Sequence, residues 1–566
     1  MNMYSVCISA CVRNGNVQAD ALKNLKKLRR VLLDDDVNIL QSDAPMKIKV
    51  ANCLLLLKMY RLLIMIYALK EKRRISKYNR NMETKSIRFN LLMNVILKAS
   101  AFIFPLITLP YVARVLGVEN NGKISFATSV ISYFSLFSQL GIPTYGIRAC
   151  ARVRESPQKL KQTVTELVTI NAIFAAIAYI TLAVSIFIVP KFHEQSTLLM
   201  ISSARILLTL IGMEWFYQAI EQYQYITVRN LLFKFISLLL LFALVKKPED
   251  YLLYCGINIF GVYGSYIVNL IYSQKFISKD KIERLNLRQH MKPIFTFFAL
   301  SLAISIYTNM DTVMLGFIKG DVEVGYYNLA TKIKDVLVAA LTALGTVLLP
   351  RLSFYYSTGE SHKLKKLLGK SMHFTALTTI PAVLFFNIIS REAVLFLGGE
   401  QYLPSVTCMQ IVTLAILPIS FANVACTQIL APMGRERYTM YSTIAGAFVN
   451  LVANSVLIPQ MGASGAALGT VIAEITVAII QIYYARDFYL PLLRKKDFGK
   501  IAIGCFAAIA ALGLLNQVIS PDVAIVKIAV EFGVFCIAYA AALLLLKDSI
   551  AINVLDNIRH RLEKLK

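Results

Sequence analysis

Lys98, Arg205 and Lys332 each interrupt an otherwise apolar run of the sequence, and Asp311, Lys334, Asp335 and Glu474 do the same. Such side chains at mid-depth in an apolar segment cost about 2.5–3.5 kcal/mol apiece on insertion scales, so they mark ion or substrate paths by default. Cations in these places can hold an anionic group in a wet passage, and carboxylates can couple a proton or a sodium ion. Plainer readings stand beside these. Lys332 and Asp335 share a helical face by i,i+3 spacing and can simply pair with each other. Asp311 can pair with a nearby cation across the fold, and Glu474 can be a hydrogen-bonded packing residue. Glu214, Glu221 and Arg229 read as a gate or interface network rather than as ligands. Lys234 stands near a helix end, where a lysine snorkels to water, and Trp215 reads as an interfacial anchor.

Other chemistries find no support. The nine cysteines are scattered, several of them inside apolar runs, and the five histidines are equally dispersed. Cys7 and Cys11 form a lone C-x3-C, and no Cys/His cluster has zinc spacing, so no metal centre is expected. A Walker A glycine-rich loop is absent, which argues against ATP hydrolysis, and no cofactor is expected. The formal charge of +27 invites a nucleic-acid reading. The Lys and Arg residues, however, sit in alternate connections between apolar runs, the distribution of a membrane protein with basic cytoplasmic loops. No nucleic acid is expected as a partner.

The elements that must position these residues are membrane spans. Of 566 residues, 57% are hydrophobic and only 16% are charged. The apolar residues gather in runs of roughly 20, the length a helix needs to cross the hydrocarbon core. About fourteen spans are expected, from 89–112 and 123–146 at the start to 499–519 and 523–546 at the end, in an all-α polytopic membrane protein. Even-numbered connections hold the cations: Arg148, Arg152, Arg154, Lys159 and Lys161 after the second span, and Lys275, Lys279, Lys281, Arg284, Arg288 and Lys292 after the sixth. Odd-numbered connections are short and nearly neutral, such as Pro459-Gln460-Met461-Gly462. Both termini of the spanning part are therefore expected in the cytoplasm.

Residues 1–81 do not match the rest. Leu54–Leu69 is broken by Lys58 and Arg61 and suits a surface helix better than a span. The segment reads as an atypical cytoplasmic head, a mis-set start or a fusion remnant. The expected organisation is head 1–81, an N-lobe over 82–290 with spans one to six, a C-lobe over 291–490 with spans seven to twelve, and 491–566 with the last two spans and a cytoplasmic tail.

An internal repeat supports the two lobes. Shifting the first copy by 203 positions superposes Gly122 on Gly325, Ala127 on Ala330 and Thr128 on Thr331. The copies lie six spans apart and so enter the membrane in the same direction, as in transporters built from parallel repeats.

The run Leu109-Pro110-Tyr111-Val112-Ala113-Arg114-Val115-Leu116-Gly117, followed by Gly141-Ile142-Pro143, Tyr145-Gly146 and Arg148, resembles the opening of Wzx-type polysaccharide (O-antigen or capsule) flippases. These belong to the MOP superfamily, which also holds lipid II flippases and multidrug (MATE) exporters. Glu214-Trp215-Phe216-Tyr217-Gln218 with Glu221 and Arg229 is similar to that family's fourth-span exit, and Gln428-Ile429-Leu430-Ala431-Pro432 with Gly434-Arg435 to its tenth-span region. The resemblance covers about residues 83–546. It implies a MATE-like, V-shaped pair of six-helix lobes that moves an undecaprenyl-diphosphate-linked oligosaccharide between leaflets of the bacterial inner membrane. Polysaccharide polymerase and glycosyltransferases are its expected protein partners, beside membrane lipids.

On this reading Lys98, Arg205 and Lys332 face the diphosphate, and Arg114 holds the outer end of the first span or lines the vestibule. Asp311, Asp335, Glu474, Glu214 and Arg229 are the candidates for ion coupling or gating. The rival readings are a cation-coupled multidrug exporter of the same superfamily and a membrane polysaccharide polymerase or ligase.

Overall fold

The structure, a computed structural model, describes residues 86–277, 285–493, 495–518 and 524–563. The head expected over 1–81 lies outside them. The chain divides into two units. One comprises Met1–Lys85, Val153–Lys161 and Tyr272–Asp280; the other holds Ser86–Arg152, Gln162–Ile271 and Lys281–Lys566. In the described part of the first, the Tyr272 and Phe276 rings meet edge-on with centroids 5.3 Å apart. The second unit carries every candidate residue.

Among the described residues there are helices and no strands. The first half runs α1 (Ile87–Gln139), α2 (Ile142–Val153), α3 (Pro157–Ile188), α4 (Pro190–Glu194), α5 (Ser196–Gly212), α6 (Glu214–Ala219), α7 (Tyr223–Leu244), α8 (Tyr251–Ile259) and α9 (Tyr266–Ser273). The second runs α10 (Arg288–Ile318), α11 (Asp321–Ser357), α12 (Ser361–Ile388), α13 (Ser390–Gly398), α14 (Ser405–Leu414), α15 (Ile416–Asn423) and α16 (Glu436–Tyr489). A terminal set follows: α17 (Lys495–Val518), α18 (Ala524–Leu545) and α19 (Ser549–Glu563). Wide π-helical turns, Phe260–Gly264 and Val424–Leu430, join α8 to α9 and extend α15.

Twelve described helical segments are long and apolar enough to cross a membrane by length and composition. Two of them fold back on themselves. In α1, Gly117 takes φ +78°, and Asn121 Nδ2 donates to Val112 O at 3.4 Å. In a straight helix those nine residues would be about 13 Å apart along the axis, so α1 is a hairpin. In α16, Gly462 takes φ +57°, and a Cβ on Gly465 would come within 2.3 Å of Leu457 O. Glycine is the residue that adopts such a φ without steric cost. The free N–H of Ala463, which opens the second arm of α16, is capped by Glu323 Oε2 at 2.6 Å. A Cβ on Gly462 would meet that same carboxylate at 2.4 Å. Gly462→Ala therefore combines backbone strain with a clash and is expected to destabilise by about 1–3 kcal/mol, read as a lowered unfolding midpoint in detergent.

The two copies of the repeat touch each other. A Cβ on Gly122 would lie 1.7 Å from Asp321 O and 3.0 Å from Gly325 N, and one on Gly325 would lie 2.3 Å from Val118 O. Asn328 donates to Ser125 Oγ, again across 203 positions. Contact between equivalent positions is what a two-fold axis produces. Near it, Asp321 accepts from Gln195 Nε2 at 2.8 Å and pairs with Lys191 at 3.0 Å.

At the far end of the second arm of α1 the halves meet again. A Cβ on Gly141 would lie 2.3 Å from Ile294 O, and the Arg148 guanidinium lies 5.0 Å from the Phe297 ring centroid. Glu166 on α3 is fully buried there. It accepts from the Asn286 N–H at 2.8 Å, Gln289 Nε2 at 2.9 Å and Gln162 Nε2 at 3.0 Å, and lies 2.8 Å from His290 Nε2. The other ring nitrogen of His290 lies 2.8 Å from the Tyr145 hydroxyl.

Candidate functional site

The first half of the chain holds two adjoining cavities, each with one cation. The larger, about 220 Å³, is lined by Phe104, Thr108, Lys234, Tyr254 and Asn258 among others. The smaller, about 110 Å³, is lined by Thr128, Ser202, Arg205, Asn258 and Tyr263 among others. Asn258 and Val262 line both. Lys234 donates to Ser100 Oγ at 3.0 Å, and Arg205 Nη1 to Ser132 Oγ at 2.7 Å. The Arg205 guanidinium also stands 5.4 Å from the Tyr263 ring centroid, and its Nε is buried with no acceptor among the described residues. Neither cation is matched there by a carboxylate, so both retain charge for an anion. A fork of N–H donors beside a point ammonium suits phosphate oxygens, and the Asn258 amide adds a donor and an acceptor for hydroxyls.

Lys234 is not the snorkelling residue that sequence predicts. α7 begins at Tyr223, six residues before the expected span, so Lys234 is its twelfth residue of 22. The polar Tyr223-Gln224-Tyr225 hides that start. Trp215 is likewise no interfacial anchor: it is 6% exposed and packs where a Gly146 Cβ would stand 2.7 Å from its ring.

Below these cavities in sequence, Arg229 is buried in α7. Nη2 lies 3.8 Å from Glu214 Oε2 and donates to Asn230 Oδ1 at 2.9 Å, while Nη1 donates to Asn269 Oδ1. The Tyr266 hydroxyl donates to Glu214. The expected network exists, and it lies inside the first half of the chain.

The second half gathers a different set. Asp311 on α10 is buried and accepts from Asn454 Nδ2 at 2.6 Å, the Tyr327 hydroxyl at 2.5 Å and Thr470 Oγ1 at 2.8 Å. Its partners are neutral donors, which corrects the expectation of a cation across the fold. Asn450 Oδ1 takes a second bond from Asn454 at 3.1 Å, and Asn454 Oδ1 is buried without a donor among the described residues. Oxygen acceptors therefore outnumber the hydrogens available to them. Glu474 lies close to Tyr307 and in the field of Lys334. Lys334 pairs with Asp335 at 3.2 Å, so the Lys332–Asp335 pair allowed by spacing is not formed.

Lys98 and Lys332 are exposed and have no hydrogen-bond or ion-pair partner among the described residues. Arg114 donates to Phe396 O at 2.7 Å and Leu395 O at 3.4 Å, the end carbonyls of α13. It ties the α1 turn to the second half, a holding role that a helix C-terminus favours for a cation.

Comparison with known proteins decides the family. A model described as "Polysaccharide biosynthesis protein" matches residues 87–355, and one described as "MatE" matches 297–456. A relative in Escherichia coli (strain K12), described as an O-antigen transporter, is 23% identical over 411 residues, covering 72% of this chain and 98% of its own. The chain is a Wzx-like member of the MOP superfamily. Lipid II flippase MurJ of Bacillus subtilis (strain 168) is 23% identical over 278 residues, 44% of the Wzx-like chain and 51% of MurJ. A solved MurJ structure, "inward closed conformation", superposes with a TM-score of 0.64 at 14% identity, over 81% of the Wzx-like chain and all of its own, a likeness that speaks for the fold.

Sequence reading of the Wzx-like chain missed Lys234 and Asn258. Asn258 carried a signal: it is an amide within an apolar run, next to the π-helical turn at Phe260–Gly264, and such turns gather at functional sites.

Proposed function

We propose that the chain is a flippase that carries an undecaprenyl-diphosphate-linked oligosaccharide from the cytoplasmic to the periplasmic leaflet of the bacterial inner membrane by alternating access. The observation that carries this reading is the pair of adjoining cavities in which Lys234 and Arg205 stand without carboxylate partners. An ion stripped of water loses tens of kcal/mol by idealised estimates, so a diphosphate needs charge-bearing, hydrated space to cross. Lys98 and Lys332, exposed and unpaired among the described residues, serve as approach cations. The relatives are described as transporters and flippases, which supports transport over polymerase or ligase chemistry.

In this reading residues 82–290 and 291–490 are the two lobes, and 491–566 adds a terminal pair and tail. Splitting α1 and α16 at their glycines brings the twelve long segments to fourteen passes, which places both termini in the cytoplasm. A membrane potential contributes about 2.3 kcal/mol per charge per 100 mV, so a headgroup of roughly two negative charges gains on the order of 4–5 kcal/mol on moving outward. The oxygen-rich surroundings of Asp311 suit it to engage a coupling proton or sodium ion, with Glu474 and Asp335 nearby, and the Glu214–Arg229 network gates the first lobe. Glycosyltransferases and a polymerase are the partners that make and consume the cargo.

Deletion should leave lipid-linked repeat units on the inner leaflet, and re-expression should clear them. Lys98→Ala is expected to lower that rescue roughly tenfold, as loss of one charge-assisted contact does; full rescue would remove Lys98 from the path. The match to the MatE model favours export of cationic drugs as the second reading. Resistance to cationic dyes conferred by the chain, without clearance of lipid-linked sugars, would replace the first.

A further inference from the structure

α19 leaves α18 through three residues, Leu546, Lys547 and Asp548, that are held in place. Lys547 takes φ +52° and gives its carbonyl to Lys500 Nζ at 2.9 Å. Asp548 is fully buried, and its Oδ2 lies 2.9 Å from His373 Nε2 on α12. Its Oδ1 accepts the N–H groups of Ile550 at 2.9 Å and Ala551 at 3.3 Å, capping the new helix. Asp497 at the start of α17 reaches the other ring nitrogen of His373 at 3.7 Å. One imidazole thus gathers both ends of the terminal helix pair. α19 must start at the level where α18 ends, which for a spanning helix is the boundary between bilayer and water.

Along α19, Ile552, Val554 and Leu555 are 36%, 52% and 49% exposed. At about 100° per residue, Val554, Leu555, Ile558 and Leu562 fall on one face, and Asn553, Asp556, Asn557 and His560 on the opposite one. Arg559 and Arg561 fall at the two borders of the apolar stripe. After Leu555 the sequence carries Arg559, Arg561, Lys564 and Lys566 against Asp556 and Glu563. The helix has 15 residues, short of the roughly 20 that cross a bilayer.

We propose that α19 is an in-plane membrane anchor. Its apolar stripe sinks into the headgroup–acyl boundary of the leaflet where α18 ends, and the flanking cations meet anionic lipid headgroups. The charge decides the occupant: an apolar face bordered by arginines and followed by lysines complements an anionic lipid surface. This stands independently of the transport reading, since it needs only that α18 spans.

The test is hydrogen exchange of the full chain in nanodiscs of phosphatidylcholine alone and of phosphatidylcholine mixed with phosphatidylglycerol. Amides of 549–563 should exchange slower by roughly tenfold or more with the anionic lipid, because each basic residue near an anionic surface contributes on the order of a factor of five. Leu555→Asp should abolish that slowing and leave exchange in α17 and α18 unchanged. Equal exchange in the two bilayers overturns the proposal. So does protection that persists in detergent and rises with protein concentration, which would assign the face to a second copy.

Discussion

Replacing Lys234 and Arg205 together by methionine is expected to lower export of lipid-linked oligosaccharide by about 10²–10⁴-fold, with each single variant losing roughly ten- to a hundredfold. A hydrogen bond to a charged group contributes about 1.5–3 kcal/mol, and each 1.4 kcal/mol is a factor of ten. Methionine keeps much of the apolar stem that both side chains bury. The bonds lost within the protein are those to Ser100 and Ser132, both single and neutral, so the unfolding midpoint should move little. The measurement is clearance of lipid-linked repeat units in a deletion strain, with protein level as control. Clearance at the parent rate by the double variant would show that the cargo does not pass these cavities.

Glu166→Ala should have the largest effect on the fold itself. It strands the Asn286 N–H, the Gln289 and Gln162 amides and the His290 ring, all gathered on one fully buried carboxylate. Breaking one partner out of such a buried network costs about 3–5 kcal/mol. Because Glu166 lies on α3 and three of its partners belong to the start of α10, the loss falls on the seam between the two halves. Glu166→Gln keeps one acceptor oxygen and should lose less. A thermal scan of the detergent-solubilised protein reads both, in the order parent, Gln, Ala; equal midpoints would show that this junction carries no stability.

Much of the architecture was legible because hydrocarbon thickness sets the length of an apolar run, and a run of that length has few other uses. The repeat was legible because Gly122 and Gly325 recur with Ala and Thr at matched spacing; that the two copies touch was not. Depth within a helix was harder to judge. Hydropathy starts α7 at its first sustained apolar stretch, and polar residues at a buried helix start are invisible to it, so Lys234 was misplaced from the middle to the end. Partner choice was harder still. Asn454 and Thr470 lie 143 and 159 positions beyond Asp311, and local spacing cannot join them. Lys334 rather than Lys332 meets Asp335 because the side chains adjust locally, which a helical wheel does not capture.

The meeting of Gly122 with Gly325 bears on how the two halves can move. Neither residue has a side chain, so the backbones press together with no knob to interlock. Such a joint resists compression but offers almost no resistance to tilting. The line through it is where one half can pivot on the other while the spacing between them stays constant.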